Sequence, residues 1–293
     1  MLRALLIAAA LLATGTVLLV VLGGEKVEHA IAPETGELRP PNGEWISSVP
    51  GSRAELWAVG DAGRGNSRAV AELIERADPD RLLYLGDVYP SGKEEDFRTW
   101  GRVFSGLLDR TAPTPGNHDW PEAVDGYEPF WRNVTGETPP TYYKFRAGGW
   151  DVLSVNSEHS EQGAIARWLE DQTASGGTCR IVFWHRPRFS AGPRGNENDV
   201  QELWEGVRGR ARILLGAHEH DMQRLRPNEG VVQFVSGAGG FGHHEVADED
   251  RVTFSDSIHD GALRLRLAPN IARWAFLAVG GRVLDSGSLG CRA

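Results

Sequence analysis

Five times between Glu55 and His220 a short apolar run stops abruptly at carboxylate, amide or imidazole side chains. Glu55–Val59 runs into Gly60-Asp61, Arg81–Leu85 into Gly86-Asp87, and Thr111–Pro115 into Gly116-Asn117-His118-Asp119. Ile181–Trp184 runs into His185, and Ile213–Leu215 into Gly216-Ala217-His218-Glu219-His220. Short apolar runs of this kind read as buried strands. Their polar ends lie at the carboxyl ends of those strands, where open α/β sheets place their ligands. Helical stripes fall between them. Val70, Leu73 and Ile74 have i, i+3, i+4 spacing behind Asn66 or Ser67 as N-cap. Phe97, Trp100, Phe104, Leu107 and Leu108 form a second stripe, and Val200, Leu203, Trp204 and Val207 a third. From Val231 onward strands return, at Val231–Val235, Leu263–Leu267, Trp274–Val279 and Val283–Leu284. The pattern predicts an α/β fold, a four-layer α/β/β/α sandwich with a two-sheet core and flanking helices.

A single Gly-Asp pair is usually a turn, and a lone loop histidine is usually surface. The force lies in the set. Asp61, Asp87, Asn117, His185, His218 and His220 are oxygen and imidazole donors. Such a mixture suits Zn, Mn or Fe and not a thiolate-bound structural ion. A carboxylate can bridge two ions. Ions about 3.5–4 Å apart can activate a water and stabilise the leaving oxygen of a phosphoryl transfer.

This order of clusters resembles the calcineurin-like metallophosphoesterase superfamily, and within it the purple acid phosphatase-like branch. The matching residues are Gly60-Asp61-Ala62-Gly63, Gly86-Asp87-Val88-Tyr89, Gly116-Asn117-His118-Asp119, His185 and Ala217-His218-Glu219-His220. The resemblance implies two divalent or mixed-valence ions of Fe, Mn or Zn. Asp61 and His220 would hold the first, Asp87 would bridge, and Asn117, His185 and His218 would hold the second. A metal-bound hydroxide would attack a phosphate monoester or diester. His118 would protonate the leaving alkoxide as general acid, and Asp119 would orient its imidazole. The sequence departs from the family at Gly63, where the wider superfamily has a histidine. The purple branch replaces that histidine with a tyrosine of the second motif. Tyr89 stands two residues after Asp87, where the family spacing is three. Either the loop adjusts and Tyr89 still binds the first ion, or that ion lacks the ligand; on an extended backbone the shift turns the phenol to the opposite face, so Tyr89 is expected to contribute weakly or not at all.

Further candidates flank these motifs. Arg194, in the loop after His185, could contact a phosphate. His243 and His244, beyond a Gly-rich turn, could line the cleft. Trp120, beside the third cluster, could form its wall, whereas His159 reads as structural or surface-exposed.

Leu5–Leu22 carries no charged residue. A run of this length is at the lower edge of a membrane span. Arg3 precedes it, and Glu25 and Glu28 follow it. Residues 1–24 therefore read as a hydrophobic helix, either an uncleaved signal-anchor or a cleaved signal peptide. Residues 25–50, with Pro33, Pro40, Pro41 and Pro50, read as a linker, and 51–293 as the catalytic domain. The domain would then be exported, and anchored to the membrane or secreted. Cys179 and Cys291 would meet an oxidising compartment there, where two cysteines usually pair. A net charge of −9 argues against nucleic acid as a partner. It leaves a small phosphate ester open as substrate, because bound cations reverse the local sign. Two alternatives stand beside the leading reading: a nuclease of the same superfamily, and a non-catalytic exported binding protein on the same fold.

Overall fold

The computed structural model describes residues 37–174 and 176–291. In chain order the strands are β1 Ala54–Val59, β2 Arg81–Tyr84, β3 Thr111–Pro113, β4 Tyr142–Ala147, β5 Trp150–Val155, β6 Arg180–Phe183, β7 Ile213–Gly216, β8 Met222–Leu225, β9 Val232–Ser236, β10 Val252–Asp256, β11 Gly261–Ala268, β12 Ile271–Ala278 and β13 Val283–Gly290. The helices are α1 Ser67–Ala77, α2 Glu94–Val103, α3 Tyr127–Thr135, α4 Gln162–Thr173 and α5 Gln201–Val207. One sheet has the order β13-β12-β11-β1-β2-β3 and the other β10-β8-β9-β7-β6-β5-β4. β1, β2 and β3 run parallel, as do β5, β6, β7 and β9.

Alternation along these strands sorts the side chains into layers. Leu56, Ala58 and Leu83 of the first sheet pack with Ile181, Phe183 and Leu215 of the second, forming the core between the sheets. Trp57, Leu82 and Tyr84 face outward and meet Val70, Ile74, Phe97 and Trp100 of α1 and α2. Val155, Val182 and Leu214 meet Ile165, Leu169, Leu203 and Trp204 of α4 and α5 on the other side. Two sheets with helices on their outer faces are thus the arrangement expected from the sequence.

Several local expectations need correction. The stripe beginning at Phe97 is not one helix. α2 ends at Val103, and Leu107 lies in a separate 3-10 segment, Ser105–Arg110. Part of the segment expected to be a linker is packed instead. Ile46 and Val49 are buried in the inter-sheet core, Val49 N–H donates to the Arg146 carbonyl, and Arg39 pairs with Glu128. The prolines and glycines there masked this short apolar contribution. The hydrophobic helix expected within residues 1–24 lies outside the described residues. Among the described residues no helix is long and apolar enough to cross a membrane.

Cys179 and Cys291 form a disulfide with Cα atoms 5.0 Å apart, joining residues 112 positions apart. It fastens the end of β13 beside the start of β6. For a loop of this length the chain-entropy model gives about 4–5 kcal/mol, with measured values often lower. Thiol titration of denatured, unreduced protein should find no free thiol, and Cys179→Ser should lower the denaturation midpoint. Two titratable thiols would contradict the pairing.

Candidate metal centre

The parallel strands bring their carboxyl ends to one place. Asp61 follows β1, Asp87 follows β2, Asn117 follows β3, His185 follows β6 and His218 follows β7. The two sheets meet there: Gly60 N–H donates to the Ser236 carbonyl at 2.9 Å, and Ser236 Oγ–H to the Ala58 carbonyl at 2.8 Å. Three site residues adopt the left-handed conformation, Asp61 (φ 59°), Asp87 (φ 62°) and His218 (φ 69°). That conformation is uncommon for non-glycine residues and is concentrated at functional sites. The glycine at 116 is needed for close approach, since a Cβ there would lie 2.1 Å from Asp87 Oδ1.

Proton positions follow from the partners. His185 Nδ1 faces the Leu85 carbonyl at 2.8 Å, which can only accept, so in the neutral ring Nδ1 carries the proton and Nε2 the lone pair. That Nε2 faces Asn117 Oδ1 at 3.1 Å, His218 Nδ1 at 3.1 Å and Asp87 Oδ2 at 3.3 Å. His218 Nε2 in turn faces Glu197 Oε1 at 3.1 Å, which leaves the lone pair on Nδ1. Four lone-pair atoms therefore converge on one point. Outer nitrogens fixed on a carbonyl or carboxylate are the usual second layer behind ligating imidazoles. Donor atoms of Asp87, His185 and His218 lie within 4.8 Å of one another. The Asp87 carboxylate favours a positive charge at the centre. Burial opposes charge on His185, but the adjoining Asp87 carboxylate outweighs it and pushes the imidazole up to about 10. Burial and the charge of His185 hold His218 well below its usual range.

Asp61 stands beside this group. Its Oδ2 accepts the His218 backbone N–H at 2.8 Å, while its buried Oδ1 has no hydrogen-bond partner. An orphaned buried carboxylate oxygen is costly. His220 Nε2 is 3.6 Å from that oxygen. The donor set and the orphaned oxygen both fit a cation.

Tyr89 departs from expectation. Its hydroxyl is 2.8 Å from His220 Nε2 and 3.2 Å from Asp87 Oδ2, so the phenol is turned into the site and not away from it. The alternation argument assumed extended backbone, whereas Asp87 is left-handed. Phe241 stacks on the Tyr89 ring with centroids 3.6 Å apart.

The role expected for Asp119 is also corrected. It makes no hydrogen bond or ion pair with the His118 ring, whose Nδ1 faces the Pro90 carbonyl at 2.8 Å. Asp119 Oδ2 accepts the N–H groups of Asp87 (2.8 Å) and Gly116 (3.0 Å), and Oδ1 that of Val88 (2.8 Å). The carboxylate shapes the Asp87 turn. His118 itself sits at the rim, its backbone N–H donating to Asp87 Oδ1 at 2.8 Å.

Among the flanking candidates, Arg194 is exposed, and its charge acts on Asp61, Tyr89, His218 and His220. His244 stacks on the His220 ring at 4.2 Å. His243 points elsewhere, to Asp260 at 3.2 Å. Trp120 is buried, 5.8 Å from the His159 ring. Sequence reasoning missed three buried or half-buried carboxylates. Glu158 grips Arg186 Nε with both oxygens, Glu197 bonds His218 as described, and Glu219 is fully buried between two site histidines. No motif marks the first two, and Glu219 occupies the variable position of its cluster.

The family model described as calcineurin-like phosphoesterase matches residues 54–222. No curated protein matches the sequence. Among solved structures, one titled GAP50, the anchor in the inner membrane complex of Plasmodium, aligns with TM-score 0.62 at 14% identity, covering 83% of this chain and 90% of that one. A structure titled PhoD aligns with TM-score 0.56 at 12% identity over 87% of this chain and 73% of its own. A dimetal phosphatase from Danio rerio aligns with TM-score 0.56 at 10% identity over 81% and 98%. At these identities the likeness is one of fold.

Proposed function

This chain belongs to the calcineurin-like phosphoesterase family, and from that premise we propose that it hydrolyses phosphate esters with two cations held between its sheets. The observation that carries the reading is the convergence of oxygen and imidazole donors around Asp87, with the orphaned Asp61 Oδ1 beside them. In this reading Asp61 and His220 hold one cation, Asp87 bridges, and Asn117, His185 and His218 hold the other. When bound, the pair supplies an activated water and positive charge against the phosphoryl oxygens. The chain's own residues do the rest. Arg194 adds charge where negative charge grows on the phosphoryl group. His118 keeps Nδ1–H on the Pro90 carbonyl and delivers a proton from Nε2 to the leaving alkoxide. A non-catalytic binding role would give no physical reason for four converging donors with Asp61 and His220 beside them.

Purified protein should hydrolyse a chromogenic phosphate monoester or diester, lose that activity on chelation and regain it with Mn, Zn or Fe. Metal-loaded protein that cleaves neither ester would contradict the reading.

The finer assignment, to the purple acid phosphatase-like branch, rests on Tyr89. Its hydroxyl lies among the donors of the first site, which supports a phenolate ligand and ferric iron there. Iron-loaded protein should then show a visible charge-transfer band that disappears in Tyr89→Phe. A band unchanged in Tyr89→Phe would remove Tyr89 from the ligand set. Export of the domain rests on Leu5–Leu22 alone.

A further inference from the structure

The residue between the two histidines of the last cluster does something its neighbours do not. Glu219 is fully buried, and its carboxylate bonds two loops distant in sequence. Oε1 accepts the backbone N–H of Arg194 at 2.9 Å and of Gly195 at 3.2 Å, with Ser190 Oγ at 3.4 Å. Oε2 faces His244 Nδ1 at 3.0 Å. The Arg194 loop closes tightly over it, since a Cβ on Gly192 would lie 2.4 Å from the Glu219 carboxyl carbon. Meanwhile the flanking backbone is fixed by the site itself: His218 N–H donates to Asp61 Oδ2, His220 N–H donates to the His244 ring at Nδ1, and His244 N–H donates to the His220 carbonyl. A single side chain thus ties the Arg194 backbone to the strand end that carries two proposed ligands.

We propose that Glu219 is a positioning residue for phosphate recognition: it holds the Arg194 loop at a fixed distance from the donor set, so that the guanidinium meets the phosphoryl group. This rests on the phosphoesterase reading above. The Arg194 side chain is exposed, so its aim depends on its backbone being anchored. Two N–H groups converging on one carboxylate oxygen form a charge-assisted anchor that a neutral loop contact would not match.

The test is a double-mutant cycle on the metal-loaded protein, read as KM and kcat for a phosphate ester, Kd for inorganic phosphate, and metal content. Arg194→Ala should raise KM and the phosphate Kd by roughly tenfold or more, the scale of a lost hydrogen bond to a charged group. Glu219→Ala should do the same with metal content retained. The double variant should be no worse than Arg194→Ala alone, because residues acting through one contact are not additive. Glu219→Gln keeps one acceptor for the Arg194 and Gly195 N–H groups and should restore much of the phosphate affinity. If Glu219→Ala does not fold, Gly192→Ala pushes the loop off the same carboxylate from outside and should raise the phosphate Kd likewise. Additive effects of Glu219→Ala and Arg194→Ala, or metal loss with unchanged phosphate affinity per loaded site, would overturn the proposal and leave the phosphoesterase reading standing. Wild-type protein that neither cleaves the ester nor binds phosphate would overturn both.

Discussion

His118→Ala lowers kcat by about 10²–10⁴-fold, the usual contribution of a general acid, and leaves metal content at the wild-type level. The structural reason is a division of labour within one residue. The backbone N–H of His118 holds Asp87 Oδ1 at 2.8 Å, and alanine keeps that bond. The ring instead leans on the Pro90 carbonyl and lies beside Tyr89, with centroids 4.5 Å apart, outside the group formed by Asp87, His185 and His218. Elemental analysis beside steady-state kinetics checks both halves. Loss of metal in this variant would make His118 a ligand and remove it as the acid. The leaving group gives a second handle. An ester with a strongly acidic alcohol needs little protonation, so the defect should shrink for it.

Asp119→Asn behaves in the opposite way: it loses metal together with activity. The wild-type carboxylate receives three backbone N–H groups, from Asp87, Val88 and Gly116. An amide can keep its oxygen on two of them and must then aim its own N–H at the third. One buried donor left unpaired costs about 1–3 kcal/mol. Relief comes from moving the Asp87 turn, which carries the carboxylate proposed to bridge. Changes behind metal ligands typically cost about 10–100-fold in metal affinity or activity. The role the family resemblance suggested, orientation of His118, gives a different result: a slow enzyme with normal metal. Measuring metal affinity of Asp119→Asn separates the two.

The contrast shows which parts of the site a sequence exposes. The ligand candidates were legible because each ends a buried strand, and apolar runs with abrupt polar ends survive as patterns in one dimension. Direction was not legible. Asp119 is adjacent to His118, but adjacent side chains point apart, and its carboxylate serves amides of residues 87 and 88. Tyr89 shows the same limit. Its expected outward turn assumed an extended strand, and the left-handed Asp87 with the Ala62–Val88 bridge reorients the chain before the phenol. Glu219 was silent because its partners, at 194, 195 and 244, come together only in the fold.

The same reasoning applies to the scaffold. Strands of the inter-sheet core announced themselves as continuous apolar runs. The β4–β5 hairpin did not, because β4 alternates between exposed and buried residues, with Lys144 and Arg146 on the solvent side. Its turn rests on Gly148 and Gly149, both at positive φ, a conformation open to glycine at little cost. α4 buries only Gln162, Ile165, Leu169 and Thr173, a stripe too mixed to stand out from its surroundings. Residues 37–50 looked like linker by composition, yet Ile46 and Val49, with Leu38 and Trp45 half-buried against the cores, dock part of them.

Metal stoichiometry measured against activity bears most directly on the account. Chelated protein would be titrated with Mn, Zn or Fe while bound metal per chain and ester hydrolysis are followed together. The account predicts no hydrolysis without metal, full activity at about two ions per chain as expected of a two-metal site, and loss of both in Asp87→Asn. Hydrolysis that persists in metal-free protein, or a chain saturated with metal that cleaves no phosphate ester, would contradict it.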